Sequence, residues 1–330
     1  MGQNISTAKR VDTMKLTDIF FPFRGDLNVI ERELDRSLNT KDAVLKKTSS
    51  HLLKAGGKRI RPVFVLLGGR FGHYDIHELK NVAVALELIH MATLVHDDVI
   101  DDSELRRGKP TVKAKWDNRI AMYTGDYILA RGLMIVTELK NPQIHQIFSK
   151  AIVEMSIGEI EQIRDFNNWN QNLRKYLRRI KRKTALLIAV SCQLGALASN
   201  ASWEVVRKMY TYGYNVGMAF QITDDILDFV GDEKKLGKPA GSDLRQGNIT
   251  LPALYAVNCD SNKNQFKDLL NENKVDEMVD FIRNGEGIEY AQNLAERYLK
   301  RGMDALEGLP EGNDKDALLK IARFIGERQF

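Results

Sequence analysis

The stretch from Leu79 to Ile100 reads LKNVAVALELIHMATLVHDDVI, and its apolar residues recur at intervals of three and four positions. This interval is the period of an α-helix, in which such positions share one face. The same pattern runs from Ile144 to Ile163 and from Val205 to Phe229, and sustained alternation of apolar and polar residues is hard to find. The sequence therefore predicts an all-α protein.

The proline pattern favours long helices, because none of the seven prolines lies between Pro142 and Pro239 and proline interrupts a helix interior. No linker rich in Pro, Ser or Gly and no fixed-period repeat divides the chain. We expect residues 15–330 to form one helical domain behind a disordered leader, residues 1–14. The leader lacks the pattern of a secretory signal.

The composition, with 43% hydrophobic and 28% charged residues, is that of an ordinary globular protein. Cys192 and Cys259 lie far apart without Cys/His clustering, which argues against a zinc site or a disulfide framework. We therefore expect a reducing, cytoplasmic location. The longest apolar run, Thr184–Ala198, is shorter than the roughly 20 residues that a membrane-spanning helix needs.

The net charge of +5 raises the question of an anionic partner, and much of the basic excess lies in RKYLRRIKRK, residues 174–183. A nucleic-acid-binding module is one interpretation, but the chain has no zinc-finger spacing and no RNP-type motif. Diphosphate substrates or anionic membrane lipids would explain the same charge. Such a run is often only the solvated face of a helix.

A pair of carboxylates stands out in the first helical stretch. Asp97 and Asp101 lie four residues apart, so both project from one face about 6 Å apart along the axis. His90 lies two turns earlier on the same stripe. The apolar surroundings indicate burial, and buried carboxylates require a counter-charge. An exposed acidic helix end is the alternative for one isolated motif.

The same D-D-x-x-D spacing recurs in FQITDDILDF, where Asp224, Asp225 and Asp228 lie on another apolar helix. Gln221 shares their face. Oxygen ligands without histidine or thiolate select hard cations, and carboxylates that fill one or two positions suit Mg²⁺ that also binds water and phosphate. Two such clusters could hold several ions and bind a diphosphate between them.

The basic residues that a diphosphate needs occur in compact groups near predicted helix ends. Lys58, Arg59 and Arg61 lie in AGGKRIRP, whereas Arg106 and Arg107 follow the first acidic motif. Arginine forks match phosphate oxygens, and lysine adds a compact charge. Each group alone could equally be a surface ion pair.

Two further segments mix basic residues with helix starts or glycines. Lys183 and Thr184 begin the apolar run, and the loop GDEKKLGKPAGSDLRQGN after the second motif contains Lys234 and Lys238. A closing lid and an ordinary surface loop both fit the latter.

Five motifs in order, GGKRIRP, LVHDDVIDDSELRRGKP, RKT, FQITDDILDFVGD and GKPAGSDL, closely resemble the trans-isoprenyl diphosphate synthase family. The resemblance implies a bundle of long helices around a central cavity, with the two acidic motifs facing each other across its mouth. It also implies three Mg²⁺ ions when substrate is bound, and no nucleic-acid partner.

The resemblance assigns residues to ligands. It implies that Mg²⁺ is held by Asp97, Asp101 and Asp224, with Asp225 and Asp228 nearby. Isopentenyl diphosphate would be bound by Lys58, Arg61, His90 and Arg107. The allylic diphosphate would be contacted by Arg106, Lys183, Thr184, Gln221 and Lys238. Lys183, Thr184 and Gln221 are the predicted catalytic residues, near the developing carbocation. Asn248 departs from the pattern, since short-chain members often carry lysine there.

The implied reaction needs no protein nucleophile. Metals and cations withdraw charge from the leaving diphosphate, isopentenyl diphosphate attacks, and a proton is lost to the departing group. Product length depends on the helix before Asp97. Ala92 lies about 7.5 Å deeper, and with Thr93 it leaves space where short-chain relatives often place an aromatic ring. We expect a medium or long product.

Within the family, the chain looks most like the catalytic components of two-component heptaprenyl diphosphate synthases, which supply menaquinone side chains. That implies farnesyl diphosphate as a substrate, a non-catalytic second subunit or a homodimer, and a peripheral membrane contact for product release. Hexaprenyl or octaprenyl synthases are the nearest alternatives. A terpene cyclase is less favoured, because cyclases usually lack both the GGKRxRP motif and the second D-D-x-x-D motif. From another class, the chain could be a non-catalytic partner subunit, against which the intact acid pairs argue, or a basic helical binding module.

Overall fold

The computed structural model describes residues 19–231 and 239–327, and in these ranges the chain is predominantly helical. The predicted all-α class is therefore confirmed. The predicted leader, residues 1–14, and the loop lysines Lys234 and Lys238 lie outside the described residues. A two-stranded antiparallel hairpin, Leu105–Arg106 with Lys109–Pro110, follows the first acidic helix.

The helices are numbered here in chain order. They are α1 (Arg24–Leu38), α2 (Ala43–Lys54), α3 (Ile60–Gly69), α4 (Ile76–Ile100), α5 (Val112–Lys115), α6 (Asn118–Glu138), α7 (Pro142–Arg164), α8 (Leu173–Ile180), α9 (Leu186–Ala198), α10 (Trp203–Val230), α11 (Ser242–Arg245), α12 (Leu251–Asn258), α13 (Lys263–Asn271), α14 (Val275–Asn284), α15 (Glu286–Asp304) and α16 (Asn313–Gly326). A 3₁₀ turn, Phe21–Phe23, precedes α1, and a five-residue π-helical segment, Lys181–Ala185, joins α8 to α9.

Helix α9 lies at the centre of the fold. Most of its residues are buried, as expected for a helix that is apolar on all sides. It packs against α3, α4, α7 and α10. A continuous apolar core surrounds it, so the long helices form a bundle around one buried helix.

Small residues allow α10 to approach the segment before it closely. A Cβ atom on Gly217 would lie 2.6 Å from the Cα of Ala185, and one on Gly213 would lie 2.8 Å from the Cα of Ala189. Both distances are too short for a side chain. Gln221 lies one further turn along the same face, so this contact brings the second acidic motif against the π segment.

Both acidic motifs lie in the last turns of long helices. Helix α4 starts after Asp75, whose side chain accepts a hydrogen bond from the His77 amide, and α10 starts after the similarly capping Ser202. Carboxylates near a helix C-terminus face the negative end of the helix dipole. Cations near these ends would therefore offset an unfavourable charge arrangement.

No helix in the described ranges is long and apolar enough to cross a membrane. This agrees with the length of the apolar run in the sequence.

We predict that Gly217→Ala lowers the free energy of unfolding by about 1–3 kcal/mol, because the new methyl group would overlap the backbone of the π segment. Urea denaturation measures this change. Gly25→Ala is the matched control, since that helical glycine has nothing within 4 Å of its Cβ position, and alanine there should stabilise by up to about 1 kcal/mol. Equal effects of both substitutions would contradict the packing described.

Candidate active site

Three carboxylates and one lysine meet at the end of the first acidic helix. Burial raises the pKa of Asp97 to about 7, and the neighbouring Glu159 and Asp101 carboxylates add to this shift. Lys183 opposes it. Burial likewise raises the pKa of Glu159, against the effect of Lys183. The cluster therefore joins α4, α7 and the π segment around a concentration of negative charge.

Glu159 was not among the residues that the sequence singled out. It lies on α7 without an acidic repeat around it, so spacing gave no signal. Gln162, one turn later, accepts a hydrogen bond from the Lys183 ammonium group at 2.8 Å. Helix α7 thus supplies a wall of the site that only the folded chain reveals.

A hydrogen-bonded chain surrounds the second acidic motif. Asp225 is buried, and its Oδ2 accepts from the Tyr176 hydroxyl at 2.6 Å while its Oδ1 accepts from Gln221 Nε2 at 2.8 Å. The Thr184 hydroxyl donates to Gln221 Oε1 at 2.6 Å. Burial, reinforced by the Asp243 carboxylate, raises the pKa of Asp225 to about 7. The two predicted allylic contacts, Thr184 and Gln221, therefore touch each other.

The other acids of this motif differ in their surroundings. Asp228 is buried, and its Oδ2 accepts from the Asp243 amide at 3.0 Å while its carbonyl accepts from the Gly241 amide at 2.7 Å. Asp224 is half-buried. Asp228 thus connects α10 to the segment that follows it.

Adjacent residues of the π segment reach both acidic helices. Lys183 lies in electrostatic contact with Asp97, and Thr184 bonds to Gln221, one turn before Asp225. π-helical turns occur often at functional sites. The two motifs that the sequence places 123 or more residues apart are therefore brought to either side of two consecutive residues.

A pocket opens at this end of the bundle. Its lining residues come from the ends of α4 and α7 and from the chain after the second motif: Ile100, Asp101, Asp102, Glu159, Gln162, Ile163, Phe166, Gln246 and Asn248. A ligand held there would touch segments following each acidic helix.

The predicted diphosphate-binding cations gather in a second region. One pocket is lined by His90, Arg106 and Arg107, together with Arg59 and Glu87. Burial lowers the pKa of His90 well below its usual value, and the surrounding arginines add to this effect. The imidazole is therefore neutral at neutral pH.

Arg61 lies near the same basic cluster. Burial lowers the pKa of Arg61 to about 10, and the neighbouring Arg107 charge adds to this effect. The guanidinium still carries its charge at neutral pH. Lys58 is exposed, and with Arg61 and Thr184 it lines an apolar pocket. Two residues predicted to bind isopentenyl diphosphate and one predicted to contact the allylic substrate therefore line the same pocket.

Buried acids hold this basic cluster in place. Arg59 donates to Glu87 at 3.0 Å and also pairs with Glu31, and Asp98 accepts from Arg106 Nε at 2.7 Å. Glu87 and Asp98 are each below 5% exposed. The sequence showed Glu87 only as an acid in an apolar run, without its arginine partner.

The chain-length residues lie behind the first motif. Ala92 is buried, and Thr93 is half-buried with its hydroxyl bonded to the His90 carbonyl at 2.8 Å. Lys238, the remaining predicted allylic contact, lies outside the described residues.

The donor set suits Mg²⁺ shared with a phosphate ligand. Among the described residues, no group of three or more His, Cys, Asp or Glu side chains is close enough to form a complete metal site. The carboxylates near Asp97 and Asp224 instead offer a few oxygen ligands each. Mg²⁺ commonly binds one or two carboxylates and completes its shell with water and phosphate oxygens.

Known proteins similar to this chain agree with the geometry. A family model described as "Polyprenyl synthetase" matches residues 42–284. Heptaprenyl diphosphate synthase component 2 of Bacillus subtilis is 54% identical over 331 residues, 99% of this chain and 95% of that protein. The crystal structure of heptaprenyl diphosphate synthase from Staphylococcus aureus has a TM-score of 0.87 at 43% identity, covering 93% of this chain and 98% of that one.

A polyprenyl synthase from Caulobacter crescentus, solved as a complex with calcium and isoprenyl diphosphate, has a TM-score of 0.89 at 29% identity and covers 96% of this chain and 98% of that one. The resemblance inferred from the five motifs is therefore confirmed over nearly the whole length. With a matching family model over most of its residues, this chain belongs to the polyprenyl synthetase family of trans-prenyltransferases.

Proposed function

We propose that this chain condenses isopentenyl diphosphate repeatedly onto an allylic diphosphate such as farnesyl diphosphate, giving heptaprenyl diphosphate. The observation that carries the proposal is the pair Lys183 and Thr184, whose side chains reach the first and second acidic helices respectively. The name of the Bacillus subtilis relative supports the heptaprenyl product. Use of the product for menaquinone and a cytoplasmic location belong to the same proposal.

In this function, Asp97, Asp101 and Asp224 would hold Mg²⁺ on the allylic diphosphate. Bound Mg²⁺ would neutralise the negative charge that builds up on the leaving diphosphate. The Caulobacter crescentus relative was solved with calcium and isoprenyl diphosphate, which supports the use of a divalent cation. Arg106, ordered by Asp98, and Lys183 would bind the same diphosphate oxygens and favour the departure of the anion.

Isopentenyl diphosphate would bind at the basic cluster. Arg61, Arg107 and Lys58 supply positive charge, while neutral His90 can donate one hydrogen bond without adding charge. Thr184 lines the apolar pocket and bonds to Gln221, and the two oxygens would stabilise positive charge on an allylic carbon bound there. A terpene cyclase would have no use for this second anion site.

We predict that Asp97→Ala lowers kcat for diphosphate release from farnesyl plus isopentenyl diphosphate by at least about 100-fold, because Mg²⁺ loses a ligand at the leaving group. The assay is magnesium-dependent release of inorganic diphosphate. Asp268→Ala is the matched control: that exposed aspartate lies on α13 and lines none of the pockets described above, and activity should stay within about twofold. Full turnover by Asp97→Ala would contradict the proposed function.

The product length follows from the space behind the first motif. We predict that Ala92→Phe shortens the main product by one or more isoprene units, because the ring would occupy the buried position below Asp97. Chromatography of the dephosphorylated lipids measures this, and it also separates heptaprenyl from hexaprenyl or octaprenyl. Ala92→Ser is the size-matched control. If the active Ala92→Phe variant gave an unchanged distribution of product lengths, this position would not limit the length of the product.

A second subunit would have an apolar surface to bind. Large side chains are exposed on the outer faces of α6 and α7, among them Tyr123 at 69%, Met134 at 54%, Val153 at 58% and Ile160 at 61%. Val153 and Ile160 lie two turns apart on α7 and so share one face, and an exposed apolar face is typical of protein interfaces. The "component 2" in the relative's name supports a non-catalytic companion as its occupant, with a homodimer as the alternative.

We predict that adding the other component of the Bacillus subtilis synthase shifts the products of this chain toward heptaprenyl diphosphate and raises its turnover. Val153→Glu should abolish complex formation in size-exclusion chromatography, because it places a charge in the apolar contact. Trp203→Glu, at a comparably exposed site on α10, is the control and should still bind. Equal binding by both variants would place the partner elsewhere.

A further inference from the structure

Asp225 already uses both carboxylate oxygens within the protein. Tyr176 donates to Oδ2 at 2.6 Å and Gln221 donates to Oδ1 at 2.8 Å. The exposed fraction is 3% for Asp225 and 0% for Tyr176. Asp225 is thus more enclosed than Asp224, its half-buried neighbour in the motif.

These bonds determine which way the Gln221 amide points. Gln221 turns its NH₂ group toward Asp225 and its oxygen toward Thr184, the arrangement in which the amide nitrogen donates and the carboxylate oxygen accepts. The Thr184 hydroxyl accordingly donates to that oxygen at 2.6 Å. Asp225 thus fixes the orientation of two side chains that face the proposed allylic substrate.

Tyr176 is itself held rigidly. Arg179, one turn later on α8, lies 5.8 Å from the centre of the tyrosine ring, bonds to Gln171 at 2.9 Å and also bonds to the Ile249 carbonyl. Helix α8 is therefore tied to the chain that follows the second acidic motif. These contacts keep the Tyr176 hydroxyl in position to donate its hydrogen bond to Asp225.

We propose that Tyr176 and Asp225 form a positioning pair, which acts through Gln221 and Thr184 on the allylic substrate while Asp225 itself binds no metal. The inference rests on the proposed function, because the substrate in question is the allylic diphosphate. It adds a residue, Tyr176, that no sequence motif singled out. It also divides the second D-D-x-x-D motif into a metal-facing acid, Asp224, and an orienting acid, Asp225.

The first test removes one hydroxyl. We expect Tyr176→Phe to lower kcat/KM for farnesyl diphosphate by about 10-fold, the effect of losing one hydrogen bond to a charged group. The affinity for Mg²⁺ with inorganic diphosphate, measured by calorimetry, should stay within about twofold. Tyr212→Phe is the matched control, because that buried tyrosine donates to the Leu318 carbonyl at 2.7 Å, away from the acids.

The second test exchanges an amide and a carboxylate. Asp225→Asn alone should orient Gln221 wrongly and lower kcat/KM for farnesyl diphosphate by about 10-fold or more. In the double variant with Gln221→Glu, the new asparagine can donate to the new carboxylate, which still accepts from Thr184. We expect kcat/KM for farnesyl diphosphate to be at least about threefold higher in the double variant than in Asp225→Asn. The affinity for Mg²⁺ should be unchanged.

The outcomes are distinct. Weakened Mg²⁺ and diphosphate binding in Tyr176→Phe or Asp225→Asn, as strong as in Asp224→Asn, would overturn the inference and make Asp225 a metal ligand. Unchanged kinetics in Tyr176→Phe would overturn it as well. Absence of prenyl transfer by the unaltered protein, with and without its companion, would instead defeat the proposed function.

Discussion

The structure depends on placing carboxylates where neither water nor the helix dipole favours them. Asp97 lies at the end of α4 and Asp225 at the end of α10, and burial raises the pKa of each to about 7. A helix C-terminus adds negative potential. Such an arrangement is unfavourable unless cations or hydrogen-bond donors compensate. The first acid lies beside Lys183 and Arg106 and the second beside Tyr176, so the two motifs meet this requirement differently.

Close helix packing makes that compensation possible. Gly213 and Gly217 let α10 lie against the π segment and α9 at distances that no side chain would allow. The π turn then presents Lys183 and Thr184 to different helices. If α10 moved away by the width of a methyl group, the bond between Thr184 and Gln221, 2.6 Å long, would be lost. The hydrogen bonds of the site therefore depend on close helix packing in the core.

Much of this was predictable from the sequence, because helical periods of 3.6 residues determine which side chains share a face. Asp97 and Asp101, placed on one face by their spacing, do interact electrostatically. The spacing set Gln221 beside Asp224 and Asp228, whereas its hydrogen bond in the structure goes to Asp225. Partners distant in sequence were not predictable: Glu159 belongs to a helix with no acidic repeat, and Tyr176 lies in a run that reads as a basic surface. Their roles follow from three-dimensional packing, which local pattern does not encode.

The central claim is that the two acidic helices bind one diphosphate through shared metal ions. A crystal structure with Mg²⁺ and inorganic diphosphate tests it most directly. The account predicts metal ions about 2.1 Å from carboxylate oxygens of Asp97 and of Asp224, with diphosphate oxygens completing their shells. Metal bound at only one motif, or diphosphate bound with neither aspartate facing it, would contradict the account.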